Sequence, residues 1–478
     1  MDLALHLDRQ SPRTLSQQVA DGVRHLVEEG VLVPGEALPS SRELARSLGV
    51  GRNTVIAAYE QLTDSGHVSV AARRRPIVND GLPSRGITGT ERIGLDAAGL
   101  PGKTLAERFG PAYDLGPELR WDFRVGTPDV AIFPHRAWLR AYRQALCEVP
   151  LLYSHDPRGS ERLRSAIAVH LVRSRGMKAE AGDIVITTGT QQALSLVTRF
   201  LMRAGDTVLM EDPGYLTARR LFQSLGARVL PVPVDDSGLV TGDLPPARLA
   251  YATPSHQFPL GGVLPLARRQ ELLLWASQYG AYILEDDYDG EFRFGLPPLP
   301  ALQGLDREGR AFYIGTFSKI LAPGLRLGFV VAPPRLSLAL AEYRALTERP
   351  PDGVSQEALA TFIETGGFDA HLRRMRRLYA ERREAVRRIL EHNLPPEWRI
   401  LGSAAGLHIP VLYEGSGAID LESVTAKLRT DGIVVETLRP YSLAAAPTGV
   451  VLGYGPLSPE AIETGLARFC QALRALPP

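Results

Sequence analysis

Lysine is scarce in this chain, and one lysine stands where a nucleophilic amine would be useful. The 478 residues contain 54 Lys+Arg; only Lys103, Lys178, Lys319 and Lys427 are lysines, which leaves 54 − 4 = 50 arginines. Wherever a bare positive charge suffices, the protein uses arginine. Lys319 closes the run Tyr313-Ile314-Gly315-Thr316-Phe317-Ser318-Lys319, just past an apolar strand. Sites in α/β sheets gather beyond the C-terminal ends of strands. A lysine enclosed there has a depressed pKa and can add to a carbonyl as the neutral amine. Arginine stays protonated and cannot. A strand-end lysine in a salt bridge is the commoner case by composition alone, so the neighbours must decide.

Those neighbours favour chemistry. Asp286 ends the strand-like run Tyr282-Ile283-Leu284-Glu285, and Tyr288 follows two residues later. A pyridoxal phosphate ring needs a carboxylate at its ring nitrogen and a donor at its phenolic oxygen, and one D-x-Y can supply both. Thr187-Thr188-Gly189-Thr190-Gln191-Gln192 joins a strand to a helix, and its backbone amides form an anion site suited to a phosphate. Arg326, seven residues after Lys319, can pair with the same phosphate. Tyr215, in Glu211-Asp212-Pro213-Gly214-Tyr215, is either a ring-stacking partner or a core aromatic. Arg439, in Thr437-Leu438-Arg439-Pro440-Tyr441, is either a clamp for a ligand carboxylate or a surface arginine.

The elements that must hold these residues can be read from periodicity. From about Trp121 the chain alternates strands and helices, with strand-like runs at Asp183–Thr187, Thr207–Met210, Arg228–Val232, Leu249–Ala252, Ala281–Leu284, Phe312–Ile314 and Leu327–Val331. That order predicts a mainly parallel α/β sheet. After Pro333-Pro334 come long helices and short strands near Leu407–Val411, Gly432–Val435 and Gly449–Gly453, predicting a smaller α+β lobe over about 335–478. The basic run Arg373, Arg374, Arg376, Arg377, Arg382, Arg383, Arg387 and Arg388 shares a helix with Glu381, Glu384 and Glu391, which predicts a solvated face.

The first 78 residues are different. Leu15, Val19, Val23 and Leu26 recur at helical spacing. Ser40-Ser41-Arg42-Glu43 is a capping box opening a second short helix, and Gly49 sits at its C-cap. A third helix runs from about Arg52 to Ser65, with Val55, Ala58, Tyr59 and Leu62 on one face. Val68-Ser69-Val70 and Ile77-Val78 flank Ala71-Ala72-Arg73-Arg74-Arg75-Pro76 as a hairpin. This is a winged helix-turn-helix order, in which the third helix would enter a major groove. Arg52, Asn53 and Thr54 sit at its start: arginine suits guanine, asparagine adenine, threonine a phosphate or a thymine methyl. Arg73, Arg74 and Arg75 would meet backbone phosphates. The alternative is a small helical module that binds protein. Residues 79–119, rich in Gly, Pro, Ser and Thr, read as a linker with a possible short helix at Gly99–Phe109.

Resemblance adds to this. Leu38-Pro39-Ser40-Ser41-Arg42-Glu43-Leu44-Ala45, Leu48-Gly49-Val50, Arg52-Asn53-Thr54-Val55 and Tyr59-Glu60-Gln61-Leu62 resemble the GntR-type winged helix over Ser11–Val78, which makes Ser40, Arg42, Arg52, Asn53 and Thr54 expected DNA contacts. The arginine triplet replaces that family's glycine-bearing wing tip. The order of phosphate loop, aromatic, D-x-Y, S-K, Arg326 and a late arginine resembles fold-type-I aminotransferases from Trp121 to Leu473. The resemblance implies that Lys319 holds pyridoxal 5′-phosphate as an internal aldimine. Asp286 would face the ring nitrogen, Tyr288 the phenolic oxygen and Tyr215 the ring. Gly189, Thr190, Gln191, Ser318 and Arg326 would hold the phosphate, and Arg439 an effector carboxylate. Where many members carry N-P-x-G, this chain has Thr253-Pro254-Ser255-His256-Gln257-Phe258-Pro259-Leu260-Gly261, leaving His256 or Gln257 to replace the asparagine. A GntR-type head on such a domain resembles the MocR/GabR family of transcriptional regulators. Phe133-Pro134 and Tyr153-Ser154-His155-Asp156-Pro157-Arg158-Gly159 resemble that family's approach to the site.

Composition bounds the partners. The net charge is +1, so no global charge advertises nucleic acid, although Ser40–Arg75 carries a local excess of arginine. The two cysteines, Cys147 and Cys470, form no metal spacing and no disulfide framework. No apolar run is long enough to span a membrane and Met1-Asp2-Leu3-Ala4 lacks a signal pattern, so the expected location is the cytoplasm. The leading expectation is a regulator that binds double-stranded operator DNA and senses an amine, an amino acid or pyridoxal phosphate itself. The family resemblance implies a head-to-tail homodimer. Two alternatives stand beside it: an aminotransferase with a vestigial head, and a plain DNA-binding repressor whose core only dimerises.

Overall fold

The computed structural model describes residues 3, 5–71, 74–80, 120–148, 156–295, 299–348, 351–402, 405–444 and 447–475. Arg73, most of the linker including Gly99–Phe109, and Tyr153-Ser154-His155 lie outside them. The chain divides into two compact units, Met1–Arg108 and Phe109–Pro478.

In the first unit, helices α1 (Leu15–Glu28), α2 (Ser41–Leu48) and α3 (Arg52–Asp64) precede strands β1 (Val68–Ser69) and β2 (Ile77–Val78). The predicted capping box is present: Glu43 N–H donates to Ser40 Oγ at 3.3 Å and Ser40 N–H to Glu43 Oε2 at 2.8 Å. Gly49 ends α2 in the left-handed region. The α3 face Val55, Ala58, Tyr59 and Leu62 is buried against Val19, Val23 and Leu44. Tyr59 satisfies its buried hydroxyl by donating to the Pro39 carbonyl at 2.7 Å. β1 and β2 pair antiparallel, Val68 opposite Val78.

The second unit is built on an eight-stranded sheet. Its strands are β4 (Ile184–Thr187), β5 (Thr207–Asp212), β6 (Arg228–Asp235), β7 (Gly238–Leu239), β8 (Leu249–Ala252), β9 (Tyr282–Asp287), β10 (Ala311–Thr316) and β11 (Gly328–Val331). The order across the sheet is β4-β11-β10-β9-β8-β5-β6-β7. Only β11 and the short β7 run against their neighbours, so the sheet is mainly parallel. Both faces are covered. Val185, Val208, Met210, Tyr251 and Phe312 pack under helix Thr190–Leu201, while Ile184, Ile186, Tyr313 and Phe329 pack into the core on the opposite face. That two-sided burial explains why these strands read as continuous apolar runs.

The smaller lobe has an antiparallel sheet of β12 (Trp398–Ile400), β13 (His408–Tyr413), β15 (Glu436–Thr437) and β16 (Gly449–Gly453). Two expectations are modified here. The lobe predicted over about 335–478 also takes in an upstream segment: β3 (Trp121–Asp122) pairs parallel with β14 (Ile433–Val434). Trp121 and the adjoining Phe123 lie against helix Pro459–Arg474: a Cβ at Gly465 would stand 2.8 Å from the Phe123 ring and 3.0 Å from that of Trp121. The basic helix Gly367–Asn393 is not wholly solvated. Arg382 and Arg383 are buried, and Arg382 pairs with Asp129 at 2.7 Å. Helical spacing places those two on the inner face, beside Met375, Tyr379 and Val386.

Candidate functional site

The C-terminal ends of β4, β5, β8, β9 and β10 lie along one sheet edge, and each carries predicted residues. Parallel pairing aligns these ends, and β11, running antiparallel, starts from the same edge. After β4, Gly189 caps helix Thr190–Leu201 with φ +117 and offers no side-chain cap. The first amides of that helix are therefore open to an anion. A Cβ at Gly189 would stand 3.7 Å from the Arg326 guanidinium, so Arg326 lies directly against the helix start. Arg326 is exposed and itself adopts φ +51, an unusual conformation for a side chain-bearing residue. Thr190 and Gln191 begin the helix; the Gln191 side-chain oxygen is buried without a partner among the described residues. Ser318 is half-buried beside Lys319, its N–H donating to Thr316 Oγ1 at 3.2 Å.

Lys319 follows β10 and donates to the carbonyl of Gly126, a residue 193 positions away. Burial pushes its amine down from 10.5, while the charges of Asp289 and Asp286 oppose the shift. Asp286 is buried in β9. Tyr251 donates to its Oδ2 at 2.7 Å, while Oδ1 is buried with no partner among the described residues. Burial raises the Asp286 carboxyl from 3.8 to about 7, against the lowering effect of Tyr251. An orphaned buried carboxylate oxygen and an uncapped helix start are what a ring nitrogen and a phosphate require. The residues fit pyridoxal phosphate.

Tyr288 is half-buried. Its hydroxyl lies 3.0 Å from His256 Nδ1 and donates to the His256 carbonyl at 3.1 Å. His256 therefore stands behind Tyr288. Gln257 is occupied, donating to the carbonyls of Phe258 and Pro213 and accepting from Leu260 N–H. Tyr215 packs edge-on to Phe258 with ring centroids 5.8 Å apart. Those two rings join Tyr441, Leu438 and Val451 in one apolar cluster that also touches Tyr288. Arg439 is exposed at the start of the short 3-10 helix Arg439–Tyr441, with Asp420 as its charged neighbour. Sequence reasoning missed Gly126, Tyr251 and Asp289. Asp289 alone had a local signal, the run Asp286-Asp287-Tyr288-Asp289.

In the first unit Arg42, Arg52, Asn53, Arg74 and Arg75 are exposed, Ser40 and Thr54 half-buried. Arg52 Nε donates to Ser41 Oγ at 3.3 Å, and Arg75 pairs with the capping residue Glu43 at 2.8 Å. The second contact ties the base of the wing to α2.

Fold and site together define a fold-type-I aminotransferase-like domain preceded by a GntR-type winged helix. Residues 122–452 match the family of class I and II aminotransferases, and residues 15–78 match the bacterial regulatory proteins of the gntR family. The chain belongs to the MocR family of HTH-type regulators, and its cofactor is pyridoxal 5′-phosphate. The uncharacterized HTH-type transcriptional regulator YhdI of Bacillus subtilis (strain 168) is 35% identical over 98% of each chain. The probable rhizopine catabolism regulatory protein MocR of Rhizobium meliloti is 34% identical, over 99% of this chain and 96% of its own. Among solved structures, the α-aminoadipate aminotransferase LysN from Thermus thermophilus superposes with TM-score 0.70 at 29% identity, covering 78% of this chain and 96% of LysN. No helix among the described residues is long and apolar enough to cross a membrane.

Proposed function

We propose that this protein is a transcriptional regulator that binds double-stranded operator DNA and senses an amine, an amino acid or pyridoxal phosphate itself at Lys319. The observation that carries the reading is the pairing of Lys319, its amine pushed down by burial, with the orphaned oxygen of Asp286 at one sheet edge. The same chain presents exposed Arg52 and Asn53 at the start of α3. Lys319 is the covalent anchor, Asp286 the partner of the ring nitrogen and Tyr288 the partner of the phenolic oxygen. Gly189, Thr190, Gln191, Ser318 and Arg326 hold the phosphate, Tyr215 flanks the ring, and Arg439 takes the effector carboxylate. Bound there, the cofactor supplies an aldehyde carbon for which free amines compete with Lys319, and a ring that withdraws electrons.

Ligand energy moves a regulator only through unequal affinity for two states. We assign those states to two placements of the heads in a head-to-tail homodimer. The test is spectral titration of the full-length protein with amines and amino acids, with operator retardation followed in parallel. We expect a visible cofactor band that Lys319→Ala abolishes, and an amine that changes both the band and DNA affinity. An amine that changes the band and leaves DNA affinity untouched refutes sensing. The likeness to LysN favours a second reading, an aminotransferase with a vestigial head. Turnover of an amine with a keto acid at about 1 s⁻¹ or faster would establish it.

A further inference from the structure

We propose that His256 and Asp289 form a buried pair that positions the Tyr288 hydroxyl and sets the charge felt at Lys319. The inference rests on the reading that Tyr288 and Lys319 face the cofactor. His256 and Asp289 are each 1% exposed and come from loops after different strands, β8 and β9. His256 Nδ1 lies 3.0 Å from Asp289 Oδ2 and 3.2 Å from Oδ1. The other ring nitrogen, Nε2, is buried and has no partner among the described residues. An N–H needs an acceptor, and only Nδ1 has one, so the proton sits on Nδ1. Nδ1–H then points at Asp289 and at the Tyr288 oxygen; without cofactor Tyr288 gives its proton to the His256 carbonyl at 3.1 Å, and the Nδ1–H contact would still hold the oxygen when that proton is turned to the cofactor's phenolic oxygen. Ring and backbone of a single residue thus fix the tyrosine oxygen from two directions.

The rest of the fold keeps that ring in place. Gly406, at φ +80, leaves it room: a Cβ there would stand 1.8 Å from His256 Cε1. The neighbouring Leu407 N–H donates to Asp289 Oδ2 at 3.2 Å. The His408 ring lies against that of His256, tilted by 38° with centroids 4.6 Å apart, and its Nε2 lies 3.1 Å from the Pro259 carbonyl oxygen. Burial, then the nearby His256, push His408 well below 6.5, so it stays neutral. His256, Asp289 and His408 place donor atoms within 4.8 Å of one another, but His256 Nδ1 already faces Asp289 and His408 Nε2 the Pro259 carbonyl. Of the charges around Lys319, Asp289 and Asp286 hold its amine up against burial, Asp289 more strongly. Asp286, Asp287 and Glu211 join Asp289 around Tyr288.

The experiment uses the full-length protein loaded with pyridoxal phosphate. It follows the pH midpoint of the visible band and the cofactor Kd in Asp289→Asn, His256→Ala and His256→Asn. Asp289→Asn removes a negative charge and should lower the midpoint by about one pH unit. His256→Ala should weaken cofactor binding about tenfold. His256→Asn places an amide N–H near the Nδ1 position and should recover most of that loss, which a merely space-filling role would not allow. An unmoved midpoint in Asp289→Asn, or His256→Asn as impaired as His256→Ala, overturns the pair alone. Stoichiometric metal in the wild type also overturns it, because the three side chains would then be ligands. A wild type with no Lys319-dependent band overturns the pair together with the reading beneath it.

Discussion

Asp286→Asn should move the stability of this protein in opposite directions with and without cofactor. In the cofactor-free fold, burial raises the Asp286 carboxyl from 3.8 to about 7. At about 1.4 kcal/mol per pH unit, keeping that group ionised costs the fold up to about 4 kcal/mol. The sign follows from proton binding. Below the unfolded value both states hold the proton and the group costs nothing. As pH rises from 3.8 through about 7, the unfolded chain loses its proton first, and stability falls. Asparagine has no charge to bury and still accepts from the Tyr251 hydroxyl. The cofactor-free variant should therefore melt several degrees above wild type near about pH 8, and the gain should vanish towards about pH 4. With cofactor the order reverses. A charge-assisted hydrogen bond to the ring nitrogen is worth about 1.5–3 kcal/mol, so the variant should bind pyridoxal phosphate roughly 10- to 150-fold more weakly. The assays are thermal denaturation across pH, with and without cofactor, and a spectral titration. A cofactor-free variant no more stable than wild type at high pH would refute the burial argument. Unchanged cofactor affinity would remove Asp286 from the ring nitrogen.

Other outcomes follow from the same geometry. Arg52→Ala should abolish operator retardation, and unaffected binding would displace α3 as the reading helix. Arg75→Ala breaks only an exposed pair with Glu43, so stability should change by less than about 1 kcal/mol. The same change should weaken DNA binding at every sequence and reduce the salt slope by about 1; an unchanged slope would leave Arg75 off the phosphates. Gly189→Ala forces a side chain into φ +117 beside Arg326, at a cost of about 1–3 kcal/mol, read as a lower Tm and weaker cofactor binding. Arg439→Ala should leave cofactor affinity alone and weaken carboxylate-bearing amines more than their decarboxylated counterparts; equal effects on both would free Arg439 of that role.

The local units, and the candidate residues for the chemistry, are legible in the order of amino acids alone. Ser40 and Glu43 announce their capping box because both partners lie within one turn, and Val55, Ala58, Tyr59 and Leu62 announce a buried helix face by their spacing. Lys319 and Asp286 stand out because their types and strand-end positions are unusual where they occur. Which of these meet is set by the packing of the whole fold. β11 inserts antiparallel between β4 and β10, and that brings Arg326 onto Gly189. Gly126 reaches Lys319 across 193 positions, and Tyr251 reaches Asp286 across 35. Trp121–Asp122 joins the small lobe, and Arg382 and Arg383 turn inward although their run of charge reads as solvated. The reason is physical. Caps and helix faces are set by neighbours a few residues apart, so their signal stays in the local sequence. Strand order, a distant carbonyl and a histidine behind a tyrosine are set by which surfaces pack together, and that depends on the whole chain at once.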